Sequence, residues 1–321
     1  MTDSQSMIDG ISNGNRRALG RLITLIESTR TDHRDSAMEA INHLPKPAKS
    51  TIRIGISGVP GVGKSSFIEA FGLHIINQNH RVAVLAVDPS SPKTGGSILG
   101  DKTRMEQLAR NPNAFIRPTP SAGSLGGVAR RTRETIIAVE AASFDVVLVE
   151  TVGVGQSEYA VANLVDMFVL LVAPGGGDDL QGIKKGIVEM ADLIVVTKCD
   201  GDLIPAANRA FQDYRSALHM LNPGSSGWIP KVLRTSAHSV EGMDDVWGAI
   251  SDFHKLMGES GALEAKRADQ ATSWMWDEVT STLLKRVKIR SDQINELEIA
   301  VRLGDMTPSE AAQKILSDFE R

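Results

Sequence analysis

Short apolar runs separated by stretches of helical length dominate the middle of the chain. TIRIGIS (51–57), RVAVLAVD (81–88), AFIRPTP (114–120), FDVVLVE (144–150), MFVLLVA (167–173), LIVVTK (193–198) and KVLRTSA (231–237) each read as a strand. Several are continuously apolar instead of alternating, the pattern of strands covered on both faces. Strands interleaved with helical stretches imply βαβ units, so residues 49–260 are expected to form an α/β domain with a mainly parallel sheet flanked by helices. Ahead of it, Leu19, Leu22, Ile23 and Ile26 make one helical stripe, and LPKPAKS (44–50) breaks any helix, which predicts a helical extension over 1–48. Residues 261–321 return to helical spacing. There TPSE (307–310) reads as a capping box, Thr307 as N-cap and Glu310 reaching back, followed by Ala312, Ile315, Leu316 and Phe319 as an apolar face.

One stretch does not obey either period. Gly58-Val59-Pro60-Gly61-Val62-Gly63-Lys64-Ser65 follows the first strand and precedes a helical pattern, and it matches G-x-x-x-x-G-K-[ST]. Glycines let backbone N–H groups turn inward onto phosphate oxygens, and the helix start that continues through Ser66 adds partial positive charge. Lys64 can reach the β- and γ-phosphates, and the Ser65 hydroxyl can ligate magnesium. The stretch reads as a phosphate cradle.

Acids at other strand ends complete a metal shell of the kind phosphoryl transfer uses. FDVVLVE ends at Glu150, and Gly153 follows where a backbone N–H would sense the γ-phosphate. Asp88 ends RVAVLAVD at the sheet edge where ligands bind in such folds, and Asp101 lies in the glycine-rich GGSILGDKTRM. Ser65, Asp88, Asp101 and Glu150 are therefore the expected magnesium set. Base choice is written in VVTKCDG (195–201): Asp200 would accept from guanine N1–H and the exocyclic amine, and the Lys198 stem would lie along the base. Threonine stands at 197 where the usual N-K-x-D has asparagine. Thr235-Ser236-Ala237 resembles the S-A-x element whose backbone contacts guanine O6.

Composition narrows the alternatives. With 321 residues, 41% hydrophobic and 23% charged, the chain is globular in type, and a net charge of −4 argues against nucleic acid as partner. Cys199 is the single cysteine, so an intrachain disulfide and a cysteine-based zinc site are excluded. No uncharged apolar run approaches the ~18 residues a membrane span needs, and MTDSQSMIDG lacks the features of a secretory signal. A cytoplasmic, membrane-free protein is expected. Arg130, Arg131 and Arg133 read as a solvated helix face, and Trp274 and Trp276 as core or dimer packing.

Five stretches, GVPGVGKSS, VDPSSPKTGGSILGDKTRM, VETVGVGQSE, PGGGDDLQGIKKGI and TKCDGDL, together resemble the MeaB/ArgK-type G proteins, the methylmalonyl-CoA mutase-associated GTPases, over roughly residues 40–320. The resemblance implies a P-loop NTPase fold of the SIMIBI type, GTP/GDP and Mg2+ as ligands, and a homodimer formed through C-terminal helices. It also implies a chaperone role toward an adenosylcobalamin-dependent acyl-CoA mutase, gating cofactor loading and protecting the mutase. It places the magnesium residues on Ser65, Asp88, Asp101 and Glu150, and an extra switch on Gly175 to Lys185 with Lys184 as a nucleotide-state contact. Ras-like enzymes carry a water-orienting glutamine after the sensor glycine, whereas Val154 stands here. Slow intrinsic hydrolysis is expected, with orientation supplied by Gln156, Lys184 or the partner alongside Lys64 and Glu150. The rival reading is a P-loop kinase of a small molecule or protein; a metal-delivering GTPase lacks the Cys/His clusters it needs.

Overall fold

The computed structural model of the chain describes residues 3–47, 50–88, 105–120, 125–151, 157–175, 185–219, 227–289 and 291–319. Two compact units emerge, Met1–Ala268 and Asp269–Arg321.

The first unit is built on one parallel sheet. Its strands are β1 (Ile52–Ser57), β2 (Val82–Asp88), β3 (Ala114–Pro120), β4 (Val146–Thr151), β5 (Met167–Val172), β6 (Leu193–Val196) and β7 (Lys231–Arg234), in the order β3-β2-β4-β1-β5-β6-β7. Every neighbouring pair is parallel, and all seven apolar runs read from the sequence are in it. β4 and β5 are buried along their whole length, which is why their sequences do not alternate.

Register decides what meets at the carboxyl edge. Glu150 of β4 stands opposite Ile56 of β1 on one side and Ala86 of β2 on the other. The tips of β1, β4 and β2 are therefore neighbours, while β5, β6 and β7 extend away on the far side of β1.

Helices cover both faces. On one, α4 (Lys64–Asn77), α5 (Glu106–Arg110) and α10 (Met243–Glu259) bury Phe67, Phe71, Leu108, Trp247 and Phe253 against the strands. On the other, α6 (Leu125–Ala141) and the short α7 (Ser157–Ala162) pack on β4 and β1, and α8 (Lys185–Met190) and α9 (Ile204–His219) pack on β5 and β6.

The N-terminal residues form three helices, α1 (Asp3–Ser12), α2 (Arg16–Glu27) and α3 (Thr31–Asn42). Asn15 caps α2 by accepting from Arg17 N and Ala18 N, and Leu19, Leu22, Ile23 and Ile26 are buried as the stripe predicts. They lie on α6, and Arg117 of β3 holds Glu27 with two hydrogen bonds, Nε to Oε1 at 3.0 Å among them. That packing corrects the solvated-face reading of the arginine cluster: Arg131 and Arg133 are buried.

A knot of charge roots the start of α11 (Ala262–Ile289). Asp166, fully buried before β5, accepts from Arg267 through Nε at 2.8 Å and Nη2 at 2.6 Å, and from Arg53 N at 2.9 Å. Lys266 Nζ donates to Asp166 O, and Arg267 also reaches Thr51 O at 2.7 Å. Burial alone would disfavour the Arg267 charge, but the bonds to Asp166 and its negative charge outweigh it and raise the guanidinium pKa.

The second unit holds the rest of α11, α12 (Ser291–Leu303) and α13 (Pro308–Phe319). Half of the expected capping box is seen, Glu310 N donating to Thr307 Oγ1 at 3.2 Å. The face that follows differs from expectation: Ala311 is the buried residue, while Leu316 is 59% exposed. A unit of about 50 residues cannot bury every apolar position on its own.

Candidate functional site

Between Ser57 and α4 the chain has to reverse without obstructing the strand tips, and three glycines at positive φ accomplish it: Gly58 (156°), Gly61 (82°) and Gly63 (100°). At Gly58 a side chain is impossible, because a Cβ would stand 2.5 Å from Leu171 O of β5. Gly63 leads directly into the first turn of α4, so backbone N–H groups converge there without intrahelical partners.

Lys64 folds back over the loop, its Nζ donating to Gly58 O at 2.8 Å and Val59 O at 3.2 Å. Burial lowers its pKa, opposed by the nearby charges of Glu150 and Glu158. An ammonium held in this way is a short swing from any anion cradled by the loop.

The cradle is braced from β6. Thr197 is buried, and its hydroxyl lies 2.7 Å from Val62 O and 3.2 Å from Val172 O. Threonine at this position thus keeps a link to the phosphate loop although the asparagine amide is absent. Lys198 adopts a left-handed φ of 56°, uncommon for a residue with a side chain. That turn sends its stem across the loop, where Nζ donates to Gly61 O at 2.7 Å. Ser236 donates to the Asp200 carboxylate and accepts from His238 N and Ser239 N at 3.2 and 3.1 Å, fixing the acid that faces the cleft.

A cleft of about 570 Å³ runs from the end of the phosphate loop at Val62 and Gly63 along α4 to Lys198, Asp200 and Ala237, and Lys64, Ser65 and Glu150 are not among the residues that line it. The volume lies within the range of small-molecule and cofactor sites. Cys199 lies beside it, its thiol pKa raised by burial, so it stays protonated and unreactive.

The structure brings Gly58 to Ser66, Glu150, Lys198, Asp200, Ser236 and Ala237 to one edge of the sheet. Asp88 ends β2 next to the tip of β4 by backbone register, but its side chain, like Asp101, Gly153, Gln156 and Lys184, lies outside the described residues. As magnesium donors, the Ser65 hydroxyl and the Glu150 carboxylate are the hard oxygen ligands this ion prefers. Among the described residues no cluster of three or more His, Cys, Asp or Glu forms a metal cage. Sequence reasoning passed over Glu158, buried on α7; the only signal for it was a carboxylate opening an otherwise apolar helix.

A parallel sheet with this loop after its first strand, and a lysine-x-aspartate turn across the cleft, defines a P-loop nucleotide-hydrolysing protein. Residues 19–292 match the family described as Methylmalonyl Co-A mutase-associated GTPase MeaB. The chain belongs to that family and is a GTPase. It is 51% identical over 321 residues to a putative GTPase of Caulobacter vibrioides, covering 99% of this chain and 98% of that protein. To the mitochondrial methylmalonic aciduria type A homolog of Mus musculus it is 48% identical over 326 residues, covering 97% and 78%. Among solved structures, that of a LAO/AO transport system kinase aligns with a TM-score of 0.78 at 35% identity, covering 100% and 99% of the two chains. No helix among the described residues is long and apolar enough to cross a membrane.

Proposed function

We propose that this GTPase is a cytoplasmic chaperone of an adenosylcobalamin-dependent acyl-CoA mutase of the methylmalonyl-CoA type, its nucleotide state gating cofactor loading and protecting the mutase. The observation that carries the reading is the match to a family described by its association with methylmalonyl-CoA mutase, over residues 19–292.

Gly58 to Ser66 would wrap the phosphates, Gly153 would sense the γ-phosphate, and Lys198, Asp200, Ser236 and Ala237 would hold guanine. Asp200 discriminates because adenine presents a lone pair, not a donor, to the carboxylate, a mismatch that can be worth ~10⁴-fold. Ser65, Asp88, Asp101 and Glu150 would hold Mg2+, which neutralises charge on the transferring phosphoryl group. Lys64 would leave the carbonyls of Gly58 and Val59 for the β- and γ-phosphate oxygens, with Gln156 and Lys184 as the residues expected to orient the attacking water.

The exposed side chains of Met275, Val279 and Leu283 recur at helical spacing on α11, beside Trp276 and Leu284. This unpartnered stripe supports a homodimer through the C-terminal helices.

Affinity capture from a cell extract, run with a non-hydrolysable GTP analogue and with GDP, tests the chaperone reading. Recovery of a cobalamin-dependent mutase that depends on nucleotide is expected, and recovery of none in either state removes the reading while leaving the GTPase. Release of phosphate from GTP without any small-molecule acceptor separates hydrolase from kinase. The brace makes a separate prediction. Thr197→Val keeps shape but strands the buried Val62 carbonyl, at a cost of about 1–2 kcal/mol. GDP affinity, measured by titration calorimetry, is expected to fall roughly tenfold.

A further inference from the structure

Glu158 has no assigned part in the site, yet its position is unusual for a carboxylate. It is 3% exposed, and among the described residues no hydrogen-bond donor reaches its Oε2. Burying a carboxylate oxygen without a donor is costly, and an orphaned polar atom of this kind points to a ligand that would complete it.

Its surroundings indicate which ligand. Glu158 lies in the first turn of α7, directly after the segment 152–156 that carries the sensor glycine. α7 is seated on β1 just below the phosphate loop: a Cβ on Gly55 would stand 3.0 Å from Val161 Cγ1. From there the Glu158 charge acts on Lys64, the residue that carries the β- and γ-phosphates, as the Glu150 charge does. Glu150 has the metal shell to serve. For Glu158 no such duty is assigned, and with no donor among the described residues its Oε2 is left to a ligand near the loop. The position after the sensor glycine, where a water-orienting amide is found in Ras-like enzymes, is Val154 and offers no hydrogen bond.

We propose that Glu158 orients the water that attacks the γ-phosphate, an inference that rests on the GTPase reading of the site. Its carboxylate accepts a hydrogen bond from the water and turns the oxygen lone pair toward phosphorus. As the new P–O bond forms, the bond from the γ-phosphorus to the β–γ bridging oxygen breaks and its electron pair leaves with GDP. The proton of the water passes to Glu158 and then to an oxygen of the departing phosphate, so the carboxylate is regenerated.

Glu158→Gln, nearly isosteric and still an acceptor through its amide oxygen, is the first variant. Single-turnover GTP hydrolysis, GDP affinity by calorimetry and melting temperature are measured on the full chain, with wild type alongside. The expected result is a fall of about 10²-fold in the hydrolysis rate, the scale of a lost general base, with GDP affinity kept within about threefold. Glu158→Ala supplies the second arm: added formate is expected to restore part of its rate, which a merely structural role would not allow. Hydrolysis unchanged in Glu158→Gln overturns the proposal. So does tighter GDP binding with an unaltered rate, which would make Glu158 only a counter-ion to Lys64, or an alanine variant that formate does not rescue. A wild type that releases no phosphate from GTP overturns the GTPase reading itself and the proposal with it.

Discussion

Lys64→Ala is expected to hydrolyse GTP about 10²–10³-fold more slowly than wild type, the effect of removing one preorganised charge donor from a transition state. The ammonium is the single cation that the described structure aims at the loop from within it, donating to Gly58 O and Val59 O. Among the described residues the nearest other cation at the loop is Lys198, and it is already engaged at Gly61 O on the base side. Single-turnover assays read the rate, and GDP titration reads the accompanying loss of affinity. The fold should survive, since Lys64 is half-buried and its hydrogen bonds go to loop carbonyls that water can reach. A Lys64→Ala protein that kept wild-type turnover would place the phosphates elsewhere.

The largest stability effect is expected at Asp166. Replacing it by alanine leaves the Arg267 guanidinium, 26% exposed, without its counter-charge and Arg53 N without an acceptor. Breaking one partner of a buried pair costs about 3–5 kcal/mol. In a unit of this size that lowers the melting temperature by roughly 10 °C. A double-mutant cycle with Arg267→Ala is the discriminating measurement: the second substitution should add much less than its effect alone, because the charge it would orphan has gone. Additive losses would mean that the two side chains do not work as a pair.

The sheet was legible because burial on both faces leaves only apolar residues to choose from, and β4 and β5 show this most clearly. Where the reading overran, chemistry was the cause. LIVVTK extends past the end of β6 at Val196 because Thr197 turns its hydroxyl to the phosphate loop and Lys198 enters the left-handed region. KVLRTSA extends past Arg234 because Ser236 leaves the ladder, its N–H donating to Glu241 O and its hydroxyl to Asp200. β-propensity continues through both segments, and the site overrides it.

What stayed hidden depended on neighbours far along the chain. Arg131 and Arg133 look solvated when α6 is taken alone, yet both are buried, and Arg131 feels the charge of Glu27 on α2, more than a hundred residues earlier. Asp166 and Arg267 are likewise 101 residues apart. No local spacing announces such a pair. Glu158 was missed for a different reason: the motif rules describe glycine loops and acids at strand ends, and this carboxylate belongs to the helix beyond.

The knot at Asp166 also sets how short the chain can be made. Its last ligands, Lys266 and Arg267, come just before the boundary at Ala268. A deletion from the carboxyl end that stops at 268 retains every contact of the knot, whereas one that removes six residues more leaves the buried Asp166 carboxylate with Arg53 N but without the Arg267 guanidinium. The first two turns of α11 are therefore part of the catalytic body and not of the tail that follows.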